Sequence, residues 1–142
     1  MPLGALFGAG PGKPRVLYSE DAPARMQGEH VTALWIQLKS FAHSTLLFFW
    51  PLDFTFVCPT EICQFSDAQP QFAEINAQIV GCSIDSHFTH AEYTKKPRAQ
   101  GGLGPMKIPM VADIDHSIAK AYGCHIDDGD DCGVAFRATY II

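Results

Sequence analysis

Hydrophobic residues along this chain gather in short runs between polar and proline-containing breaks. The densest run is Leu46 to Trp50, at the head of the stretch LLFFWPLDFTFVCPTEIC over residues 46–63. Consecutive apolar side chains of this kind predict a strand buried on both faces. Pro51 closes it, because proline cannot donate to a ladder. A loop then carries Asp53, Phe54, Thr55, Phe56 and Val57 to Cys58, and Pro59 follows. Proline is favoured at the first position of a helix, so the pattern puts Cys58 at or near a helix N-cap. The helix is predicted to run to about Ser66, with Ile62 and Phe65 inward. Pro70 is expected to interrupt it, and a second short helix, Gln71 to Asn76, buries Phe72 and Ile75.

The same alternation continues. Ile79 to Ile84 reads as another strand apolar on both faces, with Gly81 and Cys82 small enough for a close neighbour. Thr89 and Glu92 form a T-x-x-E capping box for a helix that Pro97 ends. GGLGP at 101–105 is a loop. Ile108 to Val111 is a short strand, Asp115 a cap for a helix over 116–122, and Gly123 its C′ residue. The acidic turn Asp127 to Asp131 leads into a last strand, Val134 to Ile142. Strands alternating with helices predict an α/β domain, with a parallel or mixed sheet covered on both faces. Cys58 then follows the C-terminal end of a strand, where open α/β sheets place their sites.

Composition narrows the function classes. At 142 residues the chain is one domain, and 47% hydrophobic residues can fill a core. A net charge of −5 gives no electrostatic footprint for nucleic acid. The uncharged run Ser40 to Leu52 is too short to span a bilayer. An odd set of five cysteines, Cys58, Cys63, Cys82, Cys124 and Cys132, suits a reducing compartment better than a secreted disulfide framework. Residues 1–28 are rich in glycine and proline and are expected to be disordered, leaving 29–142 as the folded domain. Within 29–40, Val31, Leu34 and Leu38 fit a short helix or strand. No charged n-region of a secretory signal is present. Lys13, Arg15 and Arg25 fit an organelle transit peptide, but Glu20, Asp21 and Glu29 argue against one, so the expected location is cytoplasmic.

Two residues carry candidate chemistry. A thiol at a helix start faces unpaired backbone N–H groups and the positive end of the dipole, which favour thiolate. The plainer reading of Cys58 is a small core residue; its place at the helix mouth weighs against that. Arg137 interrupts the apolar last strand. It is either a solvated edge residue or a cation with a buried partner, and the Cys58 thiolate is the natural partner.

Pro51-x-x-x-Thr55-x-x-Cys58, and the longer WPLDFTFVCPTEI, resemble the active-site pattern of the peroxiredoxins. The longer string looks like the typical two-cysteine branch, the alkyl hydroperoxide reductase C / thiol-specific antioxidant family. The resemblance continues through GCSIDSHFTH, KKPRAQGGLGP, IPMVADI, AKAYG and VAFRATYII, and so covers residues 46–142. It implies a thioredoxin-like fold and a thiol-dependent peroxidase without a cofactor or metal. It also implies a hydroperoxide substrate, thioredoxin or a similar thiol as reductant, and a homo-oligomer, dimer or decamer. By the same resemblance Cys58 is the peroxidatic thiol, with Thr55, the Cys58 N–H and Arg137 stabilising the leaving oxygen. Pro51 shields the sulfur from water. Glu61 either orients Arg137 or is an ordinary solvated glutamate.

The chain also departs from that family. FAHST stands where a Lys-Gly turn is expected. The resolving cysteine of the branch lies in a Val-Cys-Pro motif beyond the arginine strand, and this chain ends at Ile142. It is therefore expected to lack the final strand, helix and arm, to leave an apolar edge, and to associate irregularly. Cys63 is five residues along the helix from Cys58, about 140° round and roughly 8–9 Å away, beyond disulfide reach unless the first turn unwinds. Cys82 is expected to be an inert core residue, and Cys124 and Cys132 to be more exposed, as candidates for mixed disulfides. Two rivals remain: a metal-binding module using Cys124, His125, Cys132, His87 and His90, which lack zinc-knuckle spacing, and a non-catalytic thioredoxin-fold fragment acting as a chaperone or partner-binding module.

Overall fold

The computed structural model describes residues 44–55 and 58–142. The expectations for residues 1–43, and for Phe56 and Val57, fall outside them. Strand β1 (Ser44–Phe49) leads through a loop to helix α1 (Cys58–Glu74), and β2 (Ala77–Ser83) leads to α2 (His87–Lys95). A 3-10 turn (Arg98–Gln100), β3 (Met110–Ala112), α3 (Ser117–Ala121) and β4 (Ala138–Ile141) complete the order. The four strands form one sheet in the order β3-β2-β1-β4. β1 runs parallel to β2, with Phe48 opposite Gly81, and antiparallel to β4, with Leu47 opposite Tyr140. This is the mixed α/β sheet that the alternating pattern predicts, with β1 flanked on both sides.

Because side chains alternate along a strand, the two central strands feed two cores. Phe48, Trp50 and Ile79 pack with Ile62 of α1 and Tyr93 of α2 on one face. Leu47, Phe49 and Val80 pack with Ile118 of α3, Tyr122 and Tyr140 on the other. Each buried aromatic or aliphatic side chain of this size contributes about 1.5–3 kcal/mol. Gly81 makes room for the first core: a Cβ there would stand 2.7 Å from Trp50 Cζ3. Among the described residues no helix is long and apolar enough to cross a membrane.

Several local expectations need correction. Pro70 does not interrupt α1, which runs unbroken to Glu74. The lost hydrogen bond and ring clash cost about 3 kcal/mol, but Ile62, Phe65, Ala68 and Phe72 lie along one apolar face on the core, and tertiary packing outweighs local propensity. Ile75, expected to be buried, is instead exposed just past the helix end. The cap of α2 is Ser86, whose hydroxyl accepts from Thr89 N at 3.1 Å. Thr89 is therefore the third helical residue and not the cap. For α3, the buried Asp113 accepts from Ile118 N at 2.9 Å and Ala119 N at 2.7 Å, while Asp115 accepts from the backbone N–H and the hydroxyl of Ser117. Gly123 follows the helix at φ 66°, the left-handed C′ residue expected there. The predicted last strand divides in two. Residues 133–136 pair back onto 124–126, with Phe136 N donating to Cys124 O at 2.6 Å and Ala135 bridged to His125, and only Ala138–Ile141 joins β1. Arg137 stands where the chain changes partner.

Candidate functional site

The end of β1, the start of α1 and the turn into β4 meet at one corner. β1 ends in Trp50, whose N–H still donates to Cys82 O at 3.2 Å, and Pro51 lies half-buried in the bend that follows. Cys58 opens α1, with Pro59 and Thr60 after it, as a proline one step into a helix favours. Its side chain is buried, in the same core as Ile62, Cys63, Trp50 and Tyr93.

Arg137 reaches this corner from a position 79 residues further along the chain. Its Nη2 donates to Cys58 Sγ at 3.3 Å, and its Nη1 donates to Glu61 Oε2 in a close ion pair. Glu61 lies one helical turn after Cys58, so it points to the same side of α1. It fixes one edge of the guanidinium while the other edge faces sulfur. Partial burial works against the Arg137 charge, but the hydrogen bonds to Cys58 and Glu61 more than offset it and raise the pKa above its usual value. A planar cation held this way can neutralise a thiolate and still present donors to an approaching oxygen. Thr55 lies in the loop three residues before the sulfur, with its hydroxyl donating to Leu52 O at 3.1 Å. From there the Thr55 oxygen can accept, and it must turn to donate to a substrate.

The other four thiols are unpaired but differently placed. Cys63 is buried with Sγ 3.5 Å from Leu103 O, and burial raises its pKa. Cys82 is fully buried, and desolvation raises its pKa well above the ordinary value. Cys124, expected to be exposed, is buried, because β4 and Tyr122 close over it; its pKa is pushed up to about 12. Cys132 alone is exposed. His125 pairs with His116 and Asp127, away from His87 and His90 on α2. Among the described residues, no group of three or more His, Cys, Asp or Glu side chains is placed to hold a metal ion.

One group of residues escaped the sequence reading. Asp53 sits in the loop between Trp50 and Thr55 with its carboxylate buried. It accepts from Trp50 Nε1 at 2.8 Å and pairs with His90 Nδ1 at 2.7 Å. The signal was present as one acid inside the apolar stretch LLFFWPLDFTFV, with a histidine on α2.

Residues 21–142 match the AhpC/TSA family. Peroxiredoxin-4 of Rattus norvegicus is 50% identical over 97 residues, 68% of this chain and 34% of that protein. The thioredoxin peroxidase of Trypanosoma brucei rhodesiense is 52% identical over 97 residues, 68% of this chain and 47% of that protein. Among solved structures, the reduced 2-Cys peroxiredoxin of Plasmodium vivax superposes with a TM-score of 0.66 at 43% identity, covering 74% of this chain and 53% of that one. The chain thus spans between a third and about half of the length of these proteins.

Proposed function

This chain belongs to the AhpC/TSA family, within its typical two-cysteine peroxiredoxins, and from that premise we propose that it is a thiol peroxidase whose reacting group is Cys58. The observation that carries the reading is Arg137 Nη2 at 3.3 Å from Cys58 Sγ, at the mouth of α1. The Cys58 thiolate attacks the terminal oxygen of a hydroperoxide. An S–O bond forms as the O–O bond breaks, and the electron pair leaves on the distal oxygen. That oxygen takes a proton and departs as water or an alcohol. Sulfur is oxidised by two electrons to the sulfenic acid, and the peroxide is reduced. Arg137 and the N-terminal amides of α1 are the donors toward the developing charge, and a turned Thr55 hydroxyl adds a third. Pro51 limits water at the sulfur, and Glu61 orients Arg137.

Recycling needs a thiol to attack the sulfenic sulfur, release water and form a mixed disulfide, which a second thiol then reduces. Cys63, Cys82 and Cys124 are buried with raised pKa values, which disfavours them as the attacking thiol; a reductant such as thioredoxin fits that role, and among the described residues the exposed Cys132 is the candidate for a mixed disulfide. Self-association as a dimer or decamer fits the family, and unpaired thiols fit a reducing compartment such as the cytoplasm.

Peroxide consumption by the 142-residue chain, with dithiothreitol as reductant, tests the reading. Cys58→Ser should abolish it, and dimedone should label Cys58 in the wild type after one equivalent of peroxide. Labelling at Cys132 that spares Cys58 would remove the mechanism.

A further inference from the structure

Helix α2 buries only two of its residues, His90 and Tyr93. Both touch the loop that leads to Cys58, and they touch consecutive residues of it. His90 Nδ1 lies 2.7 Å from Asp53 Oδ2. The Tyr93 ring packs on the Phe54 ring with centroids 4.5 Å apart. Positions three apart share one helix face, so the inner face of α2 works as a two-point clamp on residues 53 and 54. The clamp holds a strained loop. Phe54 is at φ 60°, in the left-handed region that costs a side chain roughly 1–2 kcal/mol. Such a conformation persists only where the surroundings over-determine it.

The polar half of the clamp is fully connected. Asp53 accepts from Trp50 at 2.8 Å, and its own N–H donates to Asp85 Oδ2 at 2.9 Å. His90 Nε2 lies 3.2 Å from the Val111 carbonyl on β3. Both ring nitrogens of His90 therefore face acceptors, and only the doubly protonated ring donates at both. Burial opposes that charge, but the hydrogen bond and charge of Asp53 outweigh it, helped by Val111 O and Asp85, and raise the His90 pKa.

We propose that the buried Asp53–His90 pair is a positioning device for the peroxide reaction. By tying the loop to α2 and β3, it fixes Thr55, two residues on, and the approach to Cys58, five residues on. The proposal rests on the reading of Cys58 as the peroxidatic thiol. Neither residue touches substrate; both act through the loop.

The experiment measures the rate of Cys58 sulfenic acid formation in single-turnover mixing with hydrogen peroxide, with folding checked in parallel by near-UV circular dichroism. Removing one member alone would strand the other as an unpaired buried charge, so the main variant is the double change Asp53→Ala with His90→Leu. Replacing a buried pair by apolar groups is often close to neutral for stability. The folded double variant should react at least about tenfold more slowly, since small misplacements near a reacting centre cost up to about a hundredfold. His90→Gln keeps an N–H for Asp53 and should recover at least half of the lost rate on a logarithmic scale. Val80→Ala, a lesion on the opposite face of the sheet, should lower stability and leave the rate within about twofold of wild type, as expected for a distant independent site. A folded double variant at the wild-type rate would overturn the proposal, as would a His90→Gln rate no better than that of the double variant. A wild-type chain that forms no sulfenic acid on Cys58 would instead overturn the functional reading itself.

Discussion

The two faces of the sheet each hold buried cysteines, and the faces differ in one respect. Cys58 is 2% exposed on one face; Cys82 and Cys124 are 0% and 2% exposed on the other. Burial does not separate them. What separates them is the company. Cys58 opens a 17-residue helix and has a guanidinium on its sulfur. Cys82 lies near the end of β2, where desolvation and then the nearby Asp113 oppose a thiolate, and at Cys124 burial outweighs a hydrogen bond with Tyr140 that favours one. The same element, equally hidden, is a candidate nucleophile on one face and inert filling on the other. On the proposed reading, reactivity follows from a cation and a helix start meeting at the sulfur, not from access to solvent.

The sharpest way to break that contrast is to remove the cation. Arg137→Ala should slow sulfenic acid formation by about 10² to 10³, the loss that follows deletion of one well-placed donor to a developing oxyanion. Arg137→Lys should recover only part of the rate, because an ammonium cannot face sulfur and Glu61 at once as the planar fork does. Rapid-mixing kinetics on the folded variants decides it. An Arg137→Ala rate within threefold of wild type would make the helix start alone sufficient, and the difference between the faces would need another cause.

The features that make the contrast were partly legible in the sequence. The apolar run before Pro51 announced β1, because a strand buried on both faces needs no partner information to be read. Pro59 announced the helix start, since proline is favoured at the first helical position. An arginine in an apolar strand announced a partner, and Arg137 indeed reaches Cys58. Other features depend on contacts distant in sequence, which periodicity cannot express. Pro70 looked like a break because its local cost is visible and the packing of Phe65 and Phe72 is not. Cys124 looked exposed because it neighbours an acidic turn, whereas Tyr122 and the returning 133–136 segment cover it. Thr89 looked like a cap because it fitted a four-residue motif, but Ser86 occupies that place. The Asp53–His90 pair spans 37 positions, and neither residue alone carries a recognisable spacing.

A smaller effect sharpens the comparison from the side of packing. Gly81 belongs to the Cys58 face, and a methyl group there would meet Trp50 Cζ3 at 2.7 Å and Phe48 Cζ at 3.0 Å. Both neighbours are rings locked in a full core, so Gly81→Ala should destabilise by about 1–3 kcal/mol, as overpacking does. Urea unfolding reads this directly. An unchanged midpoint would mean that the Cys58 face has slack, which is at odds with a site whose geometry is held by packing.

The smallest expected effect belongs to the other face, where two tyrosines differ in the same way as the cysteines. The Tyr140 hydroxyl donates to the Tyr122 carbonyl at 2.8 Å, while the Tyr122 hydroxyl is buried without a hydrogen-bond partner. Their rings pack edge to face at 4.8 Å, so both contribute the same aromatic burial. Burial, followed by the nearby Cys82 and Cys124, drives the Tyr122 phenol pKa upward and keeps it neutral. Tyr140→Phe should therefore cost about 1 kcal/mol, because it strands a carbonyl that has lost its donor. Tyr122→Phe removes a group that already lacks a partner. It should be neutral or stabilise by up to about 1 kcal/mol, since an unmade hydrogen bond carries a desolvation penalty and no return. Paired urea melts of the two variants give the sign. If Tyr122→Phe proved the more damaging of the two, its hydroxyl would have to be satisfied by an ordered water. The Cys82–Cys124 face would then contain a polar site where the packing now indicates a dry core.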